Sequence, residues 1–296
     1  MYNLSFLDLI KSYKNYIKTR IKYLALFRKK YKNYVNVMYR LLRNQYPIIP
    51  NMRNGNNITC RNYFDVYNNM MDLQSDPEED IVYVNAMKFY GGKTKLDMAP
   101  IFIGEVYKFL PVNDKVVVDI GASIADSSIY FVSRGARKVL ALEPDITRFE
   151  LAKKNIEANN FSDKIEIRQA ECIGTRSEDY DGVKPNQSMT LDQIMKKFEQ
   201  SHPEILKMAC WGCEYDVLLT TPDEIIAKFN HIQIQYLLGY RNLKEKLEKC
   251  GFHVTFSGPL YAKFAIQNPR VFRSHINTDR LSNIFFGYIY AKKIKS

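Results

Sequence analysis

The chain has 296 residues, 46% of them hydrophobic and 25% charged, with a formal net charge of +11. That composition excludes wholesale disorder and leaves room for one large α/β domain with an accessory segment, or for two modest domains. The charge is local: residues 1–46 hold eleven Lys or Arg against one acid, Asp8, while the other 250 carry 32 basic and 31 acidic residues. Five scattered cysteines (60, 172, 210, 213, 250) show no disulfide-framework spacing, and the N-terminus lacks the apolar stretch of a signal peptide. The expectation is a cytoplasmic chain with reduced thiols, with peripheral membrane attachment as a variant, and without the roughly 20-residue apolar run of a membrane span.

In chain order the first element is a helix. Numbering a heptad from Asn3 and Phe6 puts ten apolar or aromatic residues into twelve a and d positions, Asn3 and Arg20 being the exceptions. Ser5-Phe6-Leu7-Asp8 spells a capping box and Pro47 stops the run, so the pattern predicts a helix from about residue 6 to 45, broken at most once. Three partners suit residues 6–45. The stripe can pack on the protein's own body or on a second copy; Tyr, Phe and Lys interleave as on helices that rest on anionic lipid; or the cations can meet nucleic acid, for which no recognised binding motif is present.

Residues 47–80, with Pro47, Pro50 and the acidic run Asp76-Pro77-Glu78-Glu79-Asp80, read as a linker and loop-rich entry. Short strand-like stretches begin at Ile81, and a helix is expected over about 99–109. From residue 112 the pattern changes period repeatedly. Strands are expected at Val116–Asp119, Lys138–Leu142, Lys164–Arg168, Ile205–Cys210, His231–Leu237, His253–Phe256 and Asn283–Ala291. Helices are expected at 125–134, Thr147–Asn159, Tyr215–Phe229 and Asn242–Cys250. Such alternation predicts a mostly parallel, doubly wound sheet with helices on both faces, and three parts: a basic helical segment (1–46), a linker and entry region (47–111) and the α/β domain (112–296).

In a doubly wound sheet ligands bind beyond the carboxyl ends of the strands, where the strand order reverses. Asp119-Ile120-Gly121-Ala122-Ser123-Ile124-Ala125 is the first strand-to-helix turn, and Glu143 ends the next strand 24 residues after Asp119, a spacing that suits a carboxylate on ribose hydroxyls. The alternative is a tight turn at Gly121 and a solvated strand end at Glu143.

"VVVDIGASIADSSIYF", "VLALEP", "NIEANN", "TLDQI", "ILKMACWGCEYDVLL", "GYRNLKEKLEKCGF" and "YIYAKK", in that order, resemble the FkbM-type methyltransferases over about residues 80–294. The resemblance implies a Rossmann-like class I methyltransferase fold and an S-adenosylmethionine site: Asp119, Gly121, Ala122 and Ser123 at the cofactor turn, Glu143 on the ribose and Ala170-Glu171 near the adenine. It implies O-methylation of a hydroxyl on a small molecule, glycan or lipid headgroup, with the protein aligning nucleophile and methyl while a base takes the proton. No metal is implied.

The chain departs from the family's pattern at specific letters. In the turn D-x-G-A-N-x-G, Ser123 and Ala125 replace Asn and Gly, residues that accept left-handed backbone more readily. In K-x-D-x-E-G-x-E, Lys207, Gly212 and Glu214 match while Ala209 and Trp211 replace two acids; Gln235 and Leu237 stand where an acid and a histidine are expected. Glu214 is the matched acid left as a catalytic candidate, against a reading as a helix N-terminal carboxylate. The replacements keep open a second function, a pseudoenzyme that binds or scaffolds through its basic helix. Cys210-Trp211-Gly212-Cys213 spells C-x-x-C, yet it lacks a second ligand pair at zinc spacing and follows a strand of the wrong sheet for a thioredoxin-like site.

Overall fold

The computed structural model describes residues 6–55, 58–94, 97–175, 188–198, 202–261 and 285–294. Ser5, and with it the capping box, lies outside them, as do residues 283 and 284 of the last expected strand. The N-terminal helical run is broken once, into α1 (Phe6–Lys30) and α2 (Tyr34–Leu42). At the break Tyr31 is fully buried and donates its hydroxyl to Asn69 Oδ1 at 2.8 Å, so the chain turns where an aromatic anchors it to the body.

The entry region is folded. It contains α3 (Tyr63–Met70), capped by the Asn62 side chain, and a three-stranded antiparallel sheet of β1 (Gln74–Ser75), β2 (Ile81–Val84) and β3 (Met87–Tyr90). A short π-helical turn, Ala99–Ile103, occupies the start of the helix expected over 99–109. Gly104 follows, and the chain continues through isolated turns to Leu110 rather than through a regular helix.

The α/β region runs β4 (Val116–Ile120), α4 (Asp126–Ser133), β5 (Lys138–Leu142), α5 (Ile146–Ala158), β6 (Ile165–Arg168), β7 (Glu171–Ile173), β8 (Ser188–Thr190), α6 (Leu191–Lys197) and β9 (Ile205–Met208). After these come α7 (Cys213–Thr220), α8 (Asp223–Ile226), β10 (His231–Tyr236), α9 (Arg241–Lys249), β11 (Phe252–Phe256), β12 (Leu260–Tyr261) and β13 (Phe285–Lys293). The single helix expected over 215–229 is two, because Pro222 cannot continue α7 and instead starts α8. The strand expected to reach Cys210 ends at Met208.

The large sheet has the order β11-β13-β10-β9-β4-β5-β6, parallel except for β13, which lies antiparallel between β10 and β11. Strand order therefore reverses between β4 and β9, and the turn after β4 sits at the switch. Alternate residues face opposite layers, as the period of two requires. Val117, Val139 and Ala141 join Ile129, Phe131, Phe89 and Phe102 on one side, while Val118, Leu140, Leu206 and Ile234 join Leu218 and Leu243 on the other.

Two side chains of α5 tie the entry sheet to this core. Asn155 accepts the Tyr90 N–H at 2.7 Å and donates to Tyr90 O and Ile124 O, and Asn159 makes the same pair of bonds to Lys88. The carboxamides stand in for a neighbouring strand along β3, which satisfies an edge that would otherwise be buried unpaired.

Candidate functional site

The site is built on β4, buried at every residue, and on the turn that follows it. Gly121 has φ 77°, and a Cβ there would collide with the Ala209 carbonyl, so the turn lies directly on the end of β9. Ser123 (φ 53°) and Ala125 (φ 63°) are also left-handed, at the two positions where the sequence lacks the residues best suited to that geometry. The Gly121 and Ala122 N–H groups both donate to Leu142 O at 3.0 Å, which fixes the turn against β5.

Glu143, at the end of β5, is buried and accepts the Ser123 N–H at 2.8 Å and the Asp145 N–H at 3.1 Å. A carboxylate offers about four acceptor positions and two are used, so capacity for two ligand hydroxyls remains at the spot the β-turn-β spacing indicated. Asp119, Gly121, Ala122, Ser123 and Glu143 are thus brought together. Glu171 is half-buried at the start of β7, one residue beyond a cavity of about 570 Å³ lined by Arg168, Gln169, Ala170, Met189, Gln193 and Lys197. That volume lies within the usual range for a small-molecule pocket.

Asp119 lies beneath the turn and works from within. It is fully buried; its Oδ1 lies 2.8 Å from Lys207 Nζ, and its Oδ2 accepts the Ser127 and Ser128 hydroxyls at 2.6 and 2.7 Å. Lys207 also donates to Gly121 O at 2.8 Å, so one buried ion pair fastens β4, β9, the turn and the start of α4 to one another. Gln233 lies next in register beyond Lys207, donates to Val106 O, and leaves its own Oε1 buried without a partner among the described residues.

Glu214 is also buried, and its carboxylate accepts three backbone N–H groups: Cys210 at 2.8 Å, Trp211 at 3.1 Å and Gly212 at 2.7 Å. Burial raises its pKa and these bonds pull it down again, the net direction being upward. As placed, Glu214 holds the turn at the N-terminus of α7 and complements the helix dipole. Inside that turn Cys210 and Cys213 form a disulfide with Cα atoms 5.6 Å apart, a correction to the reduced thiols read from composition; the other three cysteines are buried and free. Trp211, at φ 60°, remains 60% exposed beside it. No grouping of His, Cys, Asp or Glu among the described residues could hold a metal ion.

One group escaped the sequence reading. Asp126, the first residue of α4, is buried beside Asp97, Lys207 and Asp119, and burial first, then the Asp97 charge, pushes its carboxyl up to about 7. Tyr107 faces the same three aspartates and its hydroxyl is driven well above its ordinary range, chiefly by burial. The signal was the polar run Asp126-Ser127-Ser128 opening an otherwise apolar helix, "IADSSIYFV".

Residues 119–264 match the family model described as the methyltransferase FkbM domain. No curated protein matches the chain. Among solved structures the chain resembles Sp1610 of Streptococcus pneumoniae, described as a candidate tRNA (m1A22) methyltransferase, at 16% identity and TM-score 0.43, over 66% of this chain and 71% of that one. It also resembles M. capricolum TrmK, solved with S-adenosyl-homocysteine, at 14% identity and TM-score 0.40, over 65% and 68% of the two chains. A third is the precorrin-6y C5,15-methyltransferase of Geobacter metallireducens, at 15% identity and TM-score 0.38, over 64% and 86%.

Proposed function

We propose that this chain, with its FkbM methyltransferase domain over residues 119–264, is an S-adenosylmethionine-dependent methyltransferase that acts on a hydroxyl of a small molecule, glycan or lipid headgroup. The observation that carries the reading is Glu143: a buried carboxylate with acceptor capacity to spare, bonded to the Ser123 N–H of the glycine turn that sits where strand order reverses. Gly121, Ala122 and Ser123 would face the methionine end, Glu143 the ribose, and the cavity beside Ala170 the adenine. Adenosylmethionine supplies a methyl already activated by its sulfonium. The chain's task is then to hold the acceptor oxygen in line with that methyl and to receive the hydroxyl proton.

Glu214 is committed to its own turn, and Ala209 and Trp211 are not acids. We assign the proton instead to Asp126, which opens α4 directly after the glycine turn and whose carboxyl, pushed up to about 7, ionises close to neutral pH, where a general base works best. The buried contact between Lys207 and Asp119, with the Lys207 bond to Gly121 O, keeps the turn in place.

Calorimetric titration with adenosylmethionine is the direct test. Micromolar binding that weakens by about tenfold or more in Glu143→Gln supports the reading, by loss of charge-assisted bonds. No binding at millimolar cofactor sinks it. Asp126→Asn should keep cofactor affinity while lowering kcat by about 100-fold or more and removing a pH step near 7.

A further inference from the structure

Helix α1 lies on the body by its polar face up to Thr19, and by Tyr23, Leu26 and Phe27 after it. Asp8 and Ser12 are its buried residues; Asp8 pairs with Arg241 at 3.2 Å, and Asn15 packs against Gly258. A surface helix of a globular protein ordinarily turns its apolar stripe inward. Here the stripe points out. Phe6 is 76% exposed, Ile21 62% and Leu24 45%, with Ile10 and Ile17 exposed between them. At 100° per residue these positions share an arc of about 60°, on the side opposite Asp8, Ser12 and Asn15.

The charges follow the same geometry. Lys14 and Lys18 border the exposed stripe on one side and Arg20 on the other, with Lys11 and Lys22 further round. Across Phe6–Lys30 there are eight basic residues and one acid, and that acid, Asp8, is already turned inward. A second copy set symmetrically on this stripe would bring lysines against lysines with no acid to offset them. Nucleic acid would use the cations but leave Phe6, Ile10, Ile17, Ile21 and Leu24 in water. No helix among the described residues is long and apolar enough to cross a membrane.

We propose that α1 docks the protein on an anionic lipid surface, its outward stripe inserting at the headgroup boundary while Lys14, Lys18 and Arg20 meet the lipid charges. The position of the helix gives the docking a direction. Arg241, which holds Asp8, opens α9 just beyond the C-terminal end of β10, the same edge of the sheet that carries the turn after β4. Docked lipid and site therefore share one edge of the sheet, a placement that does not depend on the reaction performed there.

Flotation of the full chain with phosphatidylcholine vesicles, with and without about one-third phosphatidylserine, tests this. The expected result is flotation with the anionic vesicles only, weakened about tenfold or more by Ile10→Gln/Ile17→Gln/Ile21→Gln/Leu24→Gln and by added salt. These four side chains are exposed, so an unchanged unfolding temperature accompanies the loss. Absence of flotation by the wild type, or undiminished flotation by the quadruple variant, overturns the proposal. So does light scattering that shows a wild-type dimer which the quadruple variant breaks, since a second copy would then cover the stripe.

Discussion

Ala125 holds φ 63° immediately before α4, at a cost of about 1–2 kcal/mol that glycine would not incur. Glycine brings a larger unfolded-state entropy, about 0.5–1 kcal/mol. Ala125→Gly should therefore stabilise the fold slightly, by up to about 1 kcal/mol, and open the approach to the turn; thermal unfolding and cofactor titration should both move in that direction. A variant of unchanged or lower stability would mean that the methyl's packing outweighs the strain. Asp126 carries the opposite kind of cost. Its folded pKa, about 7, lies above the unfolded carboxylate value, so the folded state holds a proton that the unfolded chain has released. Stability attributable to this group is lost as pH rises from about 4 to about 7 and stays low above that. Asp126→Asn should flatten the decline, gaining on the order of a few kcal/mol at pH 8 relative to pH 5, read from urea midpoints at each pH. The two residues differ in how visible they were. A missing Asn and Gly can be read off the turn at 121–125, whereas Asp126 owes its character to burial and to the Asp97 charge, which only the fold brings about.

Among the elements, α7 begins in a turn held by one carboxylate. Glu214 satisfies the N–H groups of Cys210, Trp211 and Gly212, and Gly212 itself has φ 132°. Glu214→Gln keeps an acceptor oxygen but turns an NH₂ group toward N–H donors, and at about 1–3 kcal/mol per unsatisfied buried group it should cost on the order of 2 kcal/mol. Denaturant unfolding under oxidising conditions measures that cost. A loss below about 0.5 kcal/mol would show that the Cys210–Cys213 bridge holds the turn unaided. Strands β4 and β5 were legible because both faces are buried and the apolar run is continuous. The break between α7 and α8 was spelled by Thr221-Pro222-Asp223, yet the helical period on both sides concealed it. The π-turn at Ala99–Ile103 left no comparable mark, since the apolar run from Pro100 to Ile103 suits a regular helix equally well.

For the whole molecule, periodicity tells which residues of α1 and α2 share a face but not which face meets the body. That choice depends on what lies opposite, and here the stripe divides along its length. From Phe27 onward it joins the core, with Tyr31 and Val37 fully buried and Tyr34 and Leu41 packed against them, and Tyr23 already packs there from the neighbouring face, whereas before residue 23 the contact is made by Asp8, Ser12 and Asn15. An ion pair with the half-exposed Arg241 contributes at most about 1 kcal/mol, and the apolar residues of this half remain in water. Deleting residues 1–22 should therefore shift the unfolding temperature by only about 2–4 °C. Tyr31→Ala should cost about 3–5 kcal/mol, because it empties a fully buried aromatic site and strips Asn69 of its hydroxyl partner. Comparing the two by thermal unfolding separates a helix carried for an outside surface from one that belongs to the core. If the deletion proves as costly as the substitution, the polar face of α1 is a structural contact in its own right, and the outward stripe is the consequence of that contact and not its purpose.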